Sequence, residues 1–81
     1  MKIQLINGQF TTQETIDLIT QMIQVKIKFL ENKISNLHNE EDIKSKETKI
    51  VKLQNKISEL QEYLKLTNYD LKINSEIEIN F

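Results

Sequence analysis

Two stripes of Ile and Leu run through this sequence at helical spacing, and they do not share a phase. The first is Ile16, Ile19, Ile23, Ile27, Leu30, Ile34 and Leu37, in steps of three and four. That is the recurrence of one face of an α-helix. The second is Ile43, Ile50, Leu53, Ile57, Leu60 and Leu64, a heptad seam with Ile at a, Leu at d and Lys46 in the remaining d position. No Gly or Pro stands between Thr12 and Thr67, so one long helix has to be considered. From Leu37 to Ile43, however, the gap is six where a continued seam requires four. Two extra residues match neither the insertion of four nor the insertion of three that coiled coils absorb. The polar break SNLHNEED lies at that point.

A hairpin resolves the mismatch. If the chain folds back at residue 40, facing positions sum to about 80. Leu37 then meets Ile43, Leu30 meets Ile50, Ile27 meets Leu53, and Ile23 meets Ile57. Ile19 lies level with Leu60 and Ile16 with Leu64; only Ile34, opposite Lys46, lacks an apolar mate. The register falls on the polar break itself. This predicts helix one over 12–37, a loop at 38–41 and helix two over 40–66. Thr11 and Glu14 have the spacing of a capping box. Glu40, Glu41 and Asp42 suit the first turn of a helix. Asn36 and Asn39 can take the left-handed cap conformation in place of Gly.

The piece IQVKIKF, residues 23–29, alternates apolar and polar like a strand. The first stripe passes through it unbroken and no turn residues bound it, so the alternation comes from two helical faces. Leu18, Met22, Val25 and Phe29 form the second face, roughly 130° from the first at 100° per residue. One partner helix cannot cover both. Burying four such side chains contributes ~6–12 kcal/mol, comparable to the whole stability of a small domain. This predicts a subunit interface made of Leu18, Met22, Val25 and Phe29, extended near the open end by Tyr63 and Leu66. A homo-oligomer is expected, most simply a two-fold dimer completing a four-helix arrangement. The alternatives are cover by the chain's own C-terminal strand or by a different protein.

The ends read as strands. Residues 1–10 contain KIQLI followed by Asn7-Gly8, a turn signal. Residues 69–81 place Tyr69, Leu71, Ile73, Ile77, Ile79 and Phe81 on odd positions, giving one strand, or two with a turn at Asn74-Ser75. The hairpin returns residue 67 beside residue 12, so the two ends can pair antiparallel. The expected fold is a single, mainly α domain over 1–81: an antiparallel coiled-coil-like hairpin with short β-strands at both termini.

Composition narrows the function. At 81 residues without Cys, the chain builds a thin core with no disulfide to support it. Gln4 and Asn7 interrupt the apolar start, which therefore does not read as a secretory signal. No apolar run reaches membrane-spanning length. A cytoplasmic protein is expected. The Ile/Lys/Asn bias, with no Arg, Ala or Pro, suits an AT-rich genome, bacterial or phage.

His38 is the only His. Beside Glu40, Glu41 and Asp42 it lacks the spacing that sets metal ligands on one helix face. No Ser or Thr hydroxyl has a convincing base; Ser35 and His38, three apart, are a weak pair. The expectation is no catalytic residue, no metal and no cofactor. Lys44, Lys46, Lys49, Lys52 and Lys56, with Lys26, Lys28 and Lys33, could form a phosphate-binding stripe, which makes a nucleic-acid-associated regulator the alternative. The net charge of -1, the interspersed Glu47, Glu59 and Glu62 and the lack of Arg argue against it. The leading expectation is a non-enzymatic structural or protein-interaction module that self-associates.

Overall fold

The computed structural model describes residues 1–36, 38–65 and 70–81. The order of elements is β1 (Lys2–Phe10), α1 (Thr12–Ile34), α2 (Glu40–Leu64) and β2 (Leu71–Glu78). The chain is thus mainly helical, with a two-stranded antiparallel sheet formed from its two ends.

α1 begins as the sequence expects. The Glu14 backbone N–H donates to the Thr11 hydroxyl (3.1 Å), and the Thr11 N–H donates to the Glu14 carboxylate (2.9 Å). This satisfies two of the donors a helix start leaves free. α1 ends at Ile34, three residues before the expected Leu37, which lies outside the described residues. Local polar side chains explain the early stop. The Ser35 hydroxyl (2.7 Å) and the Asn36 amide (3.3 Å) both donate to the Asn32 carbonyl. The Asn36 N–H reaches Lys33 O at 3.1 Å in a tighter turn. Such bonds compete with helix continuation.

The loop closes at Asn39, so Glu40 and Glu41 belong to α2. No described residue has positive φ, and neither Asn36 nor Asn39 is a left-handed cap. Asn39 is extended (φ -97°, ψ 123°), and its side-chain oxygen accepts from the Glu41 N–H at 2.8 Å. A helix start needs an acceptor there, and the Asn side chain supplies it. α2 ends at Leu64, with Lys65 as its C-cap; Leu66 and Tyr69 lie outside the described residues.

The turn expected at Asn7-Gly8 does not form, and of the two alternatives for the C-terminal segment the single strand is observed. β1 runs straight through Asn7-Gly8, with Asn7 opposite Asn74 and Gly8 opposite Ile73. β2 likewise passes through Asn74-Ser75 as one strand. A turn at Asn7-Gly8 would leave residues 2–6 without the eight-residue partner that β2 provides. One irregularity went unread in the sequence: the register shifts between Gln4 and Ile6, leaving Leu5 as the extra residue of a bulge. The Gln4 side-chain nitrogen holds this bulge, lying 2.9 Å from Ile6 O, 2.6 Å from Asn74 Oδ1 and 3.2 Å from Ser75 O.

The bulge decides the character of the sheet. It brings Ile3 to the same side as Ile6 and Phe10, where their partners are Ile77, Ser75 and Leu71. The other side carries Lys2, Gln4, Asn7 and Gln9 against Glu78, Glu76, Asn74 and Lys72. One face of the ribbon is therefore apolar and the other polar.

Both strands come within 8 Å of α1, Cα to Cα, and among the described residues neither comes that close to α2. The longest dimension is 47 Å, little more than the ~38 Å of α2 alone at 1.5 Å per residue. The ribbon is therefore set across the hairpin rather than continuing it. The shortest dimension is 13 Å, the depth of a single layer of helices.

A single layer has little interior. Among the described residues Ile27, Leu30 and Leu64 are the buried apolar side chains, and none is completely enclosed. The other described stripe residues, Ile16, Ile19, Ile23, Ile34, Ile43, Ile50, Leu53, Ile57 and Leu60, are half-buried, as is Lys46. Thr15 is buried as well, and its hydroxyl and that of Thr20 have no hydrogen-bond partner among the described residues. The accessible surface is 6758 Å², where a compact monomer of this mass exposes ~5,100 Å². The radius of gyration is 15.4 Å, against ~12 Å for a compact domain of this length.

Candidate interaction surface

Leu18, Met22, Val25 and Phe29 recur in steps of four, three and four on α1, so they line up on one side of it. The structure leaves this line open. Leu18 and Met22 are half-buried, while Val25 is 71% and Phe29 54% exposed. The end of the C-terminal strand leaves Val25 and Phe29 exposed and is itself exposed at Ile77, Ile79 and Phe81. The Lys33 ammonium stands 4.8 Å from the centre of the Phe29 ring. That contact shields part of one aromatic face and leaves the rest in water.

A second apolar area adjoins this line. Ile19 and Ile23 of α1 and Leu60 and Tyr63 of α2 line a shallow groove of about 500 Å³ between the helices. Its polar edge is Lys56 and Glu59, paired at 3.0 Å. Tyr63 is 81% exposed and stands beside the groove without filling it. At 3.6 residues per turn, Met22 lies between the Leu18–Phe29 line and the Ile19–Ile23 edge, so the two areas are continuous. Four of the six expected interface residues thus form one line, and Tyr63 borders it across the groove; Leu66 lies outside the described residues.

At its other end the line meets the ribbon. Phe10, Glu14, Asp17, Leu18 and Gln21 line a shallow hollow of about 260 Å³. Phe10 is the last residue of β1 and belongs to the ribbon's apolar face. This contribution was missed in the sequence because the strand alternation of residues 3–10 changes parity at Leu5. Val51, 52% exposed on α2, also went unread; it lies on the other side of the seam from Tyr63.

The chemistry-bearing residues are dispersed. His38 is exposed. No group of three or more His, Cys, Asp or Glu side chains among the described residues is placed to hold a metal ion. Lys49, Lys52 and Lys56 fall within about 60° of one another on α2, but the five lysines do not make one row. Lys46 occupies a half-buried seam position and Lys56 is paired with Glu59. Lys44 lies roughly 140° around the helix from Lys49. No described helix is long and apolar enough to cross a membrane.

What the arrangement offers is apolar surface. It has an elongated line on α1, a groove beside it and a corner at the ribbon, with Lys26, Glu14 and Asp17 among the apolar residues. No protein-family model matches this chain, and no curated protein or solved structure matches it either.

Proposed function

We propose that this chain is a non-enzymatic structural module that works by self-association, most simply as a two-fold dimer of hairpins. The observation that carries the reading is surplus surface. The chain exposes 6758 Å², about 1,700 Å² more than a compact monomer of its mass. For a pair of chains that surplus is roughly 3,300 Å², within the range of obligate homodimers. Single-layer helical hairpins complete a core by stacking on another pair of helices. The line Leu18, Met22, Val25 and Phe29, with Tyr63 and the groove beside it, supplies the apolar centre such contacts require.

Folding and association are then one process, because a lone chain buries only about half of its unfolded surface. The melting temperature is therefore expected to rise with protein concentration, by several degrees over a hundred-fold range. A melting temperature independent of concentration over that range would count against an obligate dimer.

A further inference from the structure

The ribbon has an apolar face of its own, half-buried over most of its length and exposed at its far end. Ile3, Ile6, Phe10, Leu71, Ile73 and Ile77 share it through the antiparallel register and the bulge. Its far end is open: Ile77 is 41% and Ile79 51% exposed. A lone two-stranded ribbon is marginal in water and needs its apolar side covered. Among the large apolar residues left exposed, Met1, Leu5, Ile77, Ile79 and Phe81 belong to the ribbon or its ends, and only Val25 and Phe29 to the line on α1. The helical line alone therefore cannot account for the surplus surface.

The two faces meet. Phe10 and Leu18 line the same hollow, and among the described residues the ribbon's backbone lies nearer to α1 than to α2. It leaves the hairpin on the α1 side, and the corner between ribbon and α1 has walls that are apolar at Phe10 and Leu18 and polar at Glu14, Asp17 and Gln21.

We infer that a second copy of this chain seats in that corner, so that each chain's ribbon covers the other chain. The inference rests on the self-association reading and adds to it the ribbon and an orientation. The line on α1 is balanced about the point midway between Met22 and Val25. A two-fold axis there sets the two α1 helices antiparallel, with Leu18 opposite the partner's Phe29 and Met22 opposite the partner's Val25. The partner's Phe29 then arrives beside Phe10, at the root of the ribbon. Parallel pairing would instead bring Lys28 to the partner's Lys33, whereas antiparallel pairing brings it near the partner's Gln21. The ribbon's polar face remains in water.

The test compares full-length variants by sedimentation equilibrium, with circular dichroism to verify their helices. The double variant Ile77→Glu/Ile79→Glu is expected to weaken dimerisation at least about a hundred-fold. Val51→Glu, a change at similar exposure on the other side of the α2 seam, should leave it unchanged. Should Ile77→Glu/Ile79→Glu dimerise like the parent chain while Val25→Glu/Phe29→Glu dissociates, the ribbon lies outside the contact; this inference then fails and self-association stands. A monomeric parent chain overturns both. A second arm does not depend on the ribbon tolerating Glu. Chains carrying Phe10→Cys, mixed with chains carrying Phe29→Cys, are expected to form a mixed crosslinked dimer with a short bis-maleimide. Failure to form it overturns the antiparallel corner.

Discussion

Replacing Val25 and Phe29 together by Glu should turn a dimer into single chains and lower the melting temperature by ten degrees or more. In one isolated chain these positions are 71% and 54% exposed, so the change would be nearly neutral there. Glu forms helix better than Val or Phe. At position 29 it would also stand four residues before Lys33, a favourable spacing. A monomer thus expects no loss, and even a slight gain, apart from the Lys33 contact with the Phe29 ring. A dimer contact expects the opposite, because each carboxylate would enter a dry surface without a partner. A loss of ~4 kcal/mol of association energy for the pair is a reasonable scale for central interface positions, roughly a thousand-fold in dissociation constant. Sedimentation and thermal melting, run side by side on parent and variant, read both effects. An unchanged mass with equal or higher melting temperature would place Val25 and Phe29 outside any contact.

The second large effect belongs to the hairpin seam. Leu30 is 4% exposed and lies where the sequence register sets it against Ile50. Leu30→Ala removes three carbon atoms from one of the few buried side chains. The expected cost is ~2–5 kcal/mol, the transfer term plus the cavity left behind. With so small an interior, that is a large part of the total stability. Urea titration should show the midpoint falling sharply while the slope stays constant. A cost below ~1 kcal/mol would mean that the seam collapses around the gap, or that Leu30 is not central to the core.

Legibility followed the range of the interactions involved. Helix starts depend on residues two or three apart, and both places were readable, from Thr11 with Glu14 and from the acidic run after Asn39. Asn39 itself was expected as a left-handed cap and is the N-cap. Antiparallel pairing of the chain ends was also readable, because the hairpin register brings them together. Misreadings arose where a local signal competed with a distant one. Asn7-Gly8 is a good turn by itself, but residues 2–10 find a longer partner in 71–78, and the distant pairing prevails. The end of α1 was placed late because the apolar stripe continues to Leu37, whereas Ser35 and Asn36 bond back to Asn32. The bulge at Leu5 was invisible because it depends on which residue of β2 each residue of β1 meets. With it was hidden the apolar ribbon face, which joins the line on α1 at Phe10. Leu18, Met22, Val25 and Phe29 were legible as a second helical face because their spacing is intrinsic to α1. What covers them is not a local property of the sequence.

The most direct measurement is the molar mass of the unmodified chain in solution, by light scattering or sedimentation equilibrium at tens of micromolar. A single-layer hairpin with an open apolar line, groove and corner should occur as two chains, twice the 9.6 kDa of one. A folded, stable species of 9.6 kDa at that concentration would contradict self-association as the purpose of this surface.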